Sequence, residues 1–109
     1  MNTIGVIGGS GLYEMDNLSD IEHIEVDTPW GAPSDKLIKG KINDIKVIFL
    51  SRHGKGHKIK PSDINFRANI YALKSLGVDR IISVSAVGSM KEEIEPGHLV
   101  IPDQFIDFT

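Results

Sequence analysis

"IKVIFLSRHGKGH", Ile45 to His57, decides the fold class, because an apolar run without alternation passes directly into a basic, glycine-bearing turn. Such a run reads as a strand covered on both faces, which belongs in an α/β sheet rather than in a small antiparallel sheet with one wet face. The turn sets Arg52 and His53 at the strand's carboxyl end, with Gly54 and Gly56 beside them. In α/β sheets that edge is where ligands collect. Arg52 offers a planar fork of N–H donors matched to phosphate, and Lys55 and His57 add positive potential. The plain alternative is a solvated basic loop.

Upstream, "KLIKGKI" is joined to this strand through Asn43-Asp44, a turn-prone pair, so residues 36–50 are expected to form a hairpin. "TIGVI", Thr3 to Ile7, is a short apolar strand ending at "GGSG", and "IEHIEV", Ile21 to Val26, alternates at period two. Downstream, a helix is expected to begin near Ser62, whose hydroxyl suits an N-cap, with Asp63 at the positive end of the dipole. Phe66, Ile70, Leu73 and Leu76 form its apolar stripe, and Gly77 stops it. "RIISVSAVGS", Arg80 to Ser89, is a fifth strand, and "HLVIPDQF", His98 to Phe105, a sixth. One helix covers only part of one face of so many strands. The rest calls for a longer parent chain, ahead of a partner subunit or a closed barrel.

Two further strand ends are suited to an anion. In "GVIGGSGL" three glycines bring bare backbone N–H groups forward, and Ser10 adds a hydroxyl. Glu14 stands where a dinucleotide fingerprint needs glycine, and no Gly-Lys-Ser/Thr follows, so neither well-known glycine motif fits. "SVSAVGSM" sets Ser85 and Ser89 around Ala86 and Gly88; hydroxyls there bind phosphate or cap their own loop. Taken alone, each is equally a tight turn. Together they supply the cation, hydroxyls and amides that one dianion needs, provided the strands are neighbours.

Composition narrows the partners. The 109 residues carry 12 Lys and Arg against 15 Asp and Glu, a formal charge of −3, which gives no basic surface for nucleic acid. No apolar run reaches the roughly 18 residues of a membrane helix, and "MNTIGVIGGSG" lacks the basic start and apolar core of a signal peptide. A cytoplasmic protein is expected. Cysteine is absent, which excludes disulfides, thiolate metal sites and Cys nucleophiles.

"GVIGGSGLY", "RHGKGHKIKPSDINFRANIYALKSLGV", "SAVGSMKEEIEPG" and "IPDQFID", four ordered blocks over nearly the whole chain, resemble the N-terminal portion of the methylthioadenosine phosphorylases within the trimeric purine nucleoside phosphorylase family. The resemblance implies an α/β fold with a mixed, partly barrel-like sheet covered by helices, residues 1–109 being the N-terminal part of a single domain. It implies attack of inorganic phosphate on C1′ of 5′-deoxy-5′-methylthioadenosine, giving adenine and methylthioribose 1-phosphate, with no metal or organic cofactor and a homotrimer as the assembly. The family's phosphate ligands map onto Ser10, Arg52, His53, Ser85 and Ala86. His57 matches the family signature and is expected to organise its loop. The residues that read the purine, and any general acid, would lie beyond Thr109, so methylthioinosine or purine-nucleoside phosphorolysis stays open. A non-catalytic phosphate-binding or interaction module is the alternative from a different class.

Arg-His-Gly at a strand end also marks histidine phosphatases, where the His becomes phosphorylated. There the motif lies on the first strand and resembles "LVRHGET"; here it follows about fifty residues, and no Glu-Thr comes after it. His53 is therefore read as a phosphate ligand. His23 and His98 lack ligand spacing to another His or carboxylate, which argues against a metal site. Asp103 and Asp107 suit turn or strand-cap roles, Trp30 suits local packing, and Asn65 and Asn69 share a helix face from which to fix a neighbouring loop.

Overall fold

The computed structural model describes residues 2–9 and 17–108. Five strands form one mixed sheet: β1 (Thr3–Gly8), β2 (Ser19–Ile24), β3 (Leu37–Ile42), β4 (Ile45–Ser51) and β5 (Arg80–Ser83), in the order β2-β3-β4-β1-β5. One helix, α1 (Phe66–Ser75), packs on it. β1 pairs in parallel with both β4 and β5, while β2-β3 and β3-β4 are antiparallel. The result is the expected α/β class, with a parallel half and an antiparallel half.

The hairpin turns where expected. Asn43 and Asp44 both take left-handed backbone, at φ 48° and 67°, the pattern of a tight turn that matches strand twist. β4 is the centre of the molecule. Val47 and Phe49 meet Leu18 and Ile38 on one face, while Ile48 and Leu50 meet Leu37, Ala72 and Leu73 on the other. A strand buried on both sides has no room for polar residues, which is why its sequence does not alternate.

α1 differs from expectation in start and orientation. Residues 61–63 form a single 3₁₀ turn, and the cap is Asn65, whose side chain accepts from the Ala68 amide. Its buried face is Ala68, Asn69, Ala72 and Leu73, whereas Phe66 and Ile70 are exposed. Ala72 and Leu73 join Leu37, Ile48 and Leu50 in one buried cluster, which is where the helix meets the sheet. Gly5 of β1 has little room for a side chain: a Cβ there would stand 2.9 Å from a Val78 side-chain carbon and 3.3 Å from one of Leu73. The helix ends as expected at Gly77, with φ 86° and a Schellman pair of bonds, Gly77 N to Lys74 O and Val78 N to Leu73 O.

The sixth expected strand does not form. Residues 98–105 have no ladder partner among the described residues, and Leu99 and Ile101 are 97% and 95% exposed. β5 is likewise shorter than expected. It stops at Ser83, and Ile81 and Ile82 remain open. No helix of the described residues is long and apolar enough to cross a membrane.

Candidate functional site

The sheet order brings the three polar strand ends together. β1 lies between β4 and β5, with Gly8 level with Ser51 and Ile7 level with both Leu50 and Ser83. The ladder continues one step past the strands, through Arg52 N to Gly8 O and Val84 N to Ile7 O. The carboxyl ends of all three parallel strands therefore open on one edge. The condition that the strands be neighbours is met.

An open cleft of about 540 Å³ lies there, lined by Gly9, Arg52, His53, His57, Val84, Ser85 and Ala86. Four of the five expected phosphate ligands share it. Ser10, the fifth, lies outside the described residues, although its neighbour Gly9 is on the wall. Ser89 falls away from the cleft and caps its own loop, bonding Lys91 through both its carbonyl and its amide.

Arg52 spans the mouth. Its Nη1 donates to the Val84 carbonyl at 2.5 Å and its Nε donates to His53 Nε2 at 3.2 Å. A guanidinium has five N–H donors, so these two bonds leave three for an incoming anion while fixing the plane of the fork. His53 is buried, and its Nδ1 donates to the Ile59 carbonyl at 2.8 Å. His57 stacks on it with ring centroids 4.2 Å apart. That contact gives the expected loop-organising role a geometry, and it also makes His57 part of the wall.

The turn that carries these groups is held from behind. Gly54 sits at φ 72° so close to the 28–35 loop that a Cβ would stand 3.0 Å from the Ser34 carbonyl oxygen. Ser34 is in turn bound by Asn69, whose Oδ1 accepts from the Ser34 amide while its Nδ2 donates to the Ser34 hydroxyl. Asn65 does the same one turn earlier, donating to the Trp30 carbonyl. The two asparagines fix the loop as their spacing suggested, and Trp30 packs edge-on against Tyr71. Sequence reasoning missed the carbonyls of Val84 and Ile59, because a backbone acceptor leaves no residue-type signal.

The site is thus a cationic, hydroxyl-bearing cleft at the carboxyl ends of adjacent parallel strands, the edge at which α/β sheets collect their ligands. The family described as the Phosphorylase superfamily matches residues 3–109, and the chain belongs to it. It is 64% identical over 106 residues to the S-methyl-5′-thioadenosine phosphorylase of Geobacter sulfurreducens, covering 97% of this chain and 37% of that protein. The enzyme of the same name from Nitrosopumilus maritimus is 55% identical, over 97% of this chain and 40% of the relative. Among solved structures, a methylthioadenosine phosphorylase from an antarctic soil metagenomic library superposes with a TM-score of 0.83 at 52% identity, over 87% of this chain and 33% of that one. The Schistosoma mansoni methylthioadenosine phosphorylase in complex with adenine gives 0.80 at 43%, over 89% and 34%. The chain thus spans between a third and two-fifths of the length of these relatives.

Proposed function

We propose that this chain supplies the phosphate half of the active site of a methylthioadenosine phosphorylase, as the N-terminal part, residues 1–109, of a single phosphorylase domain. The observation that carries the assignment is the meeting of Arg52, His53, Ser85 and Ala86 on one cleft, in a chain whose relatives bear that name. Ser10, in the glycine-rich sequence that follows β1, completes the proposed ligand set.

In the reaction, a phosphate oxygen bonds to C1′ of 5′-deoxy-5′-methylthioadenosine as the C1′–N9 bond breaks. The bonding pair and a proton leave with adenine, and methylthioribose 1-phosphate remains. Positive charge builds on the ribosyl carbon along the way, so an anion held close and in line both attacks and stabilises. Arg52 fixes the phosphate through its guanidinium N–H donors, Ser85 adds a hydroxyl, and the small Ala86 side chain leaves the anion room. The phosphate supplies both nucleophile and charge, so the proposed chemistry needs no metal or organic cofactor. The partners proposed are the two small substrates and two further copies of the subunit, in the cytoplasm, with neither nucleic acid nor membrane.

The test is adenine release from methylthioadenosine by the whole enzyme that contains this chain, with and without inorganic phosphate. Release should require phosphate and yield the sugar 1-phosphate in equal amount. Release at the same rate without phosphate, with free methylthioribose as product, would contradict it.

A further inference from the structure

We infer that His53 reads the proton of the bound anion: its Nε2 accepts the P–OH of hydrogen phosphate, which makes the cleft select a protonated tetrahedral oxyanion over one that carries no proton. This deepens the phosphate assignment and rests on it.

The tautomer follows from the partners. A neutral imidazole has one N–H and one lone pair. Nδ1 faces the Ile59 carbonyl at 2.8 Å, and a carbonyl only accepts, so the ring proton is on Nδ1. Nε2 faces Arg52 Nε at 3.2 Å, and a guanidinium nitrogen only donates, so Nε2 presents its lone pair. A proton on Nε2 would set N–H against N–H and bring a second cation against a permanent one. The ring is 8% exposed, and water competes little for either nitrogen.

An anion binding at the Arg52 fork meets that lone pair at once. Hydrogen phosphate fits between the two groups by a one-for-one exchange. One oxygen takes the Arg52 Nε–H in place of Nε2, and the P–OH replaces that N–H as donor to Nε2. Both bonds are reformed and no polar group is left unpaired. The bond being exchanged is at the long end of the N–H range, so opening it costs little. Sulfate has the same shape and the charge of the phosphate dianion, yet near neutral pH it has no proton to give. Its oxygen would face the Nε2 lone pair, and a site built to pair a donor rejects the analogue that lacks one. Arsenate keeps its proton and should behave as phosphate does.

The experiment uses the whole enzyme that contains this chain, at neutral pH. Long-range proton–nitrogen correlation of the His53 ring assigns the tautomer, and phosphate, arsenate and sulfate are then titrated at matched ionic strength. The ring should carry its proton on Nδ1. Phosphate and arsenate should bind alike and sulfate roughly tenfold more weakly. His53→Ala should bring phosphate down to the level of sulfate, and if that variant does not fold, the unsubstituted enzyme still decides through the tautomer and the anion ratio. A proton on Nε2, or sulfate binding equal to phosphate, overturns the inference and leaves the cleft as an anion site. Failure of all three anions to bind removes the phosphate assignment itself, and the inference with it.

Discussion

β4 and β5 flank β1 in the same parallel sense and are both apolar in sequence, yet they end in opposite surroundings. Val47 through Leu50 of β4 are at most 5% exposed, whereas Ile81 and Ile82 of β5 are 40% and 52% exposed. β4 is covered by α1 on one face and by Leu18 on the other; β5 has only its ladder to β1 among the elements described. An apolar strand states what environment it requires, and does not state that the environment is present. The strand ends behave differently from the strand bodies. Val84 and Ser85 are positioned by register with β1, so the open strand delivers its polar end to the cleft as reliably as the buried one delivers Arg52.

Four substitutions sharpen that contrast between a stabilising centre and a positioned edge. Leu73→Ala, which empties a fully buried site between α1 and β4, should lower the unfolding free energy by about 3 kcal/mol in denaturant titration. Arg52→Ala should weaken phosphate binding by roughly 30-fold, about 2 kcal/mol, as measured by calorimetry, because charge-assisted bonds are lost. Unchanged affinity would take Arg52 out of the site. Asn69→Ala should cost about 1.5 kcal/mol by leaving the Ser34 amide and hydroxyl without their partner, and the Gly54 turn should broaden in amide spectra. Ile82→Ser on β5 should change stability by less than about 0.5 kcal/mol in this chain. A loss as large as that of Leu73→Ala would mean that β5 is buried in solution, and the contrast would fail.

Much of this was legible in the residues. The unalternating Ile45–Leu50 run, the Asn43-Asp44 turn and the Gly77 stop each reflect a local constraint that sequence carries directly. The candidate site residues stand out by type, Arg52, His53 and Ser85 at strand ends, and it is the sheet order, not the residue types, that sets them on one cleft. Three features were not legible. Phe66 and Ile70 look like a core stripe, but the buried face carries Ala68, Asn69 and Ala72 beside Leu73, and small or polar residues are silent in a hydrophobic pattern. Residues 98–105 have strand-like composition and no ladder partner, and pairing depends on what else is present. The grip of Val84 and Ile59 on Arg52 and His53 runs through backbone carbonyls, which every residue possesses.

The central claim is that three separate strand ends form one anion site. Amide and side-chain shift mapping during a titration with inorganic phosphate tests it most directly. Gly9, Arg52, His53, Ser85 and Ala86 should move together along one binding curve with a single dissociation constant. Separate curves for the three strand ends, or shifts confined to the Arg52 turn, would show independent loops and contradict the account.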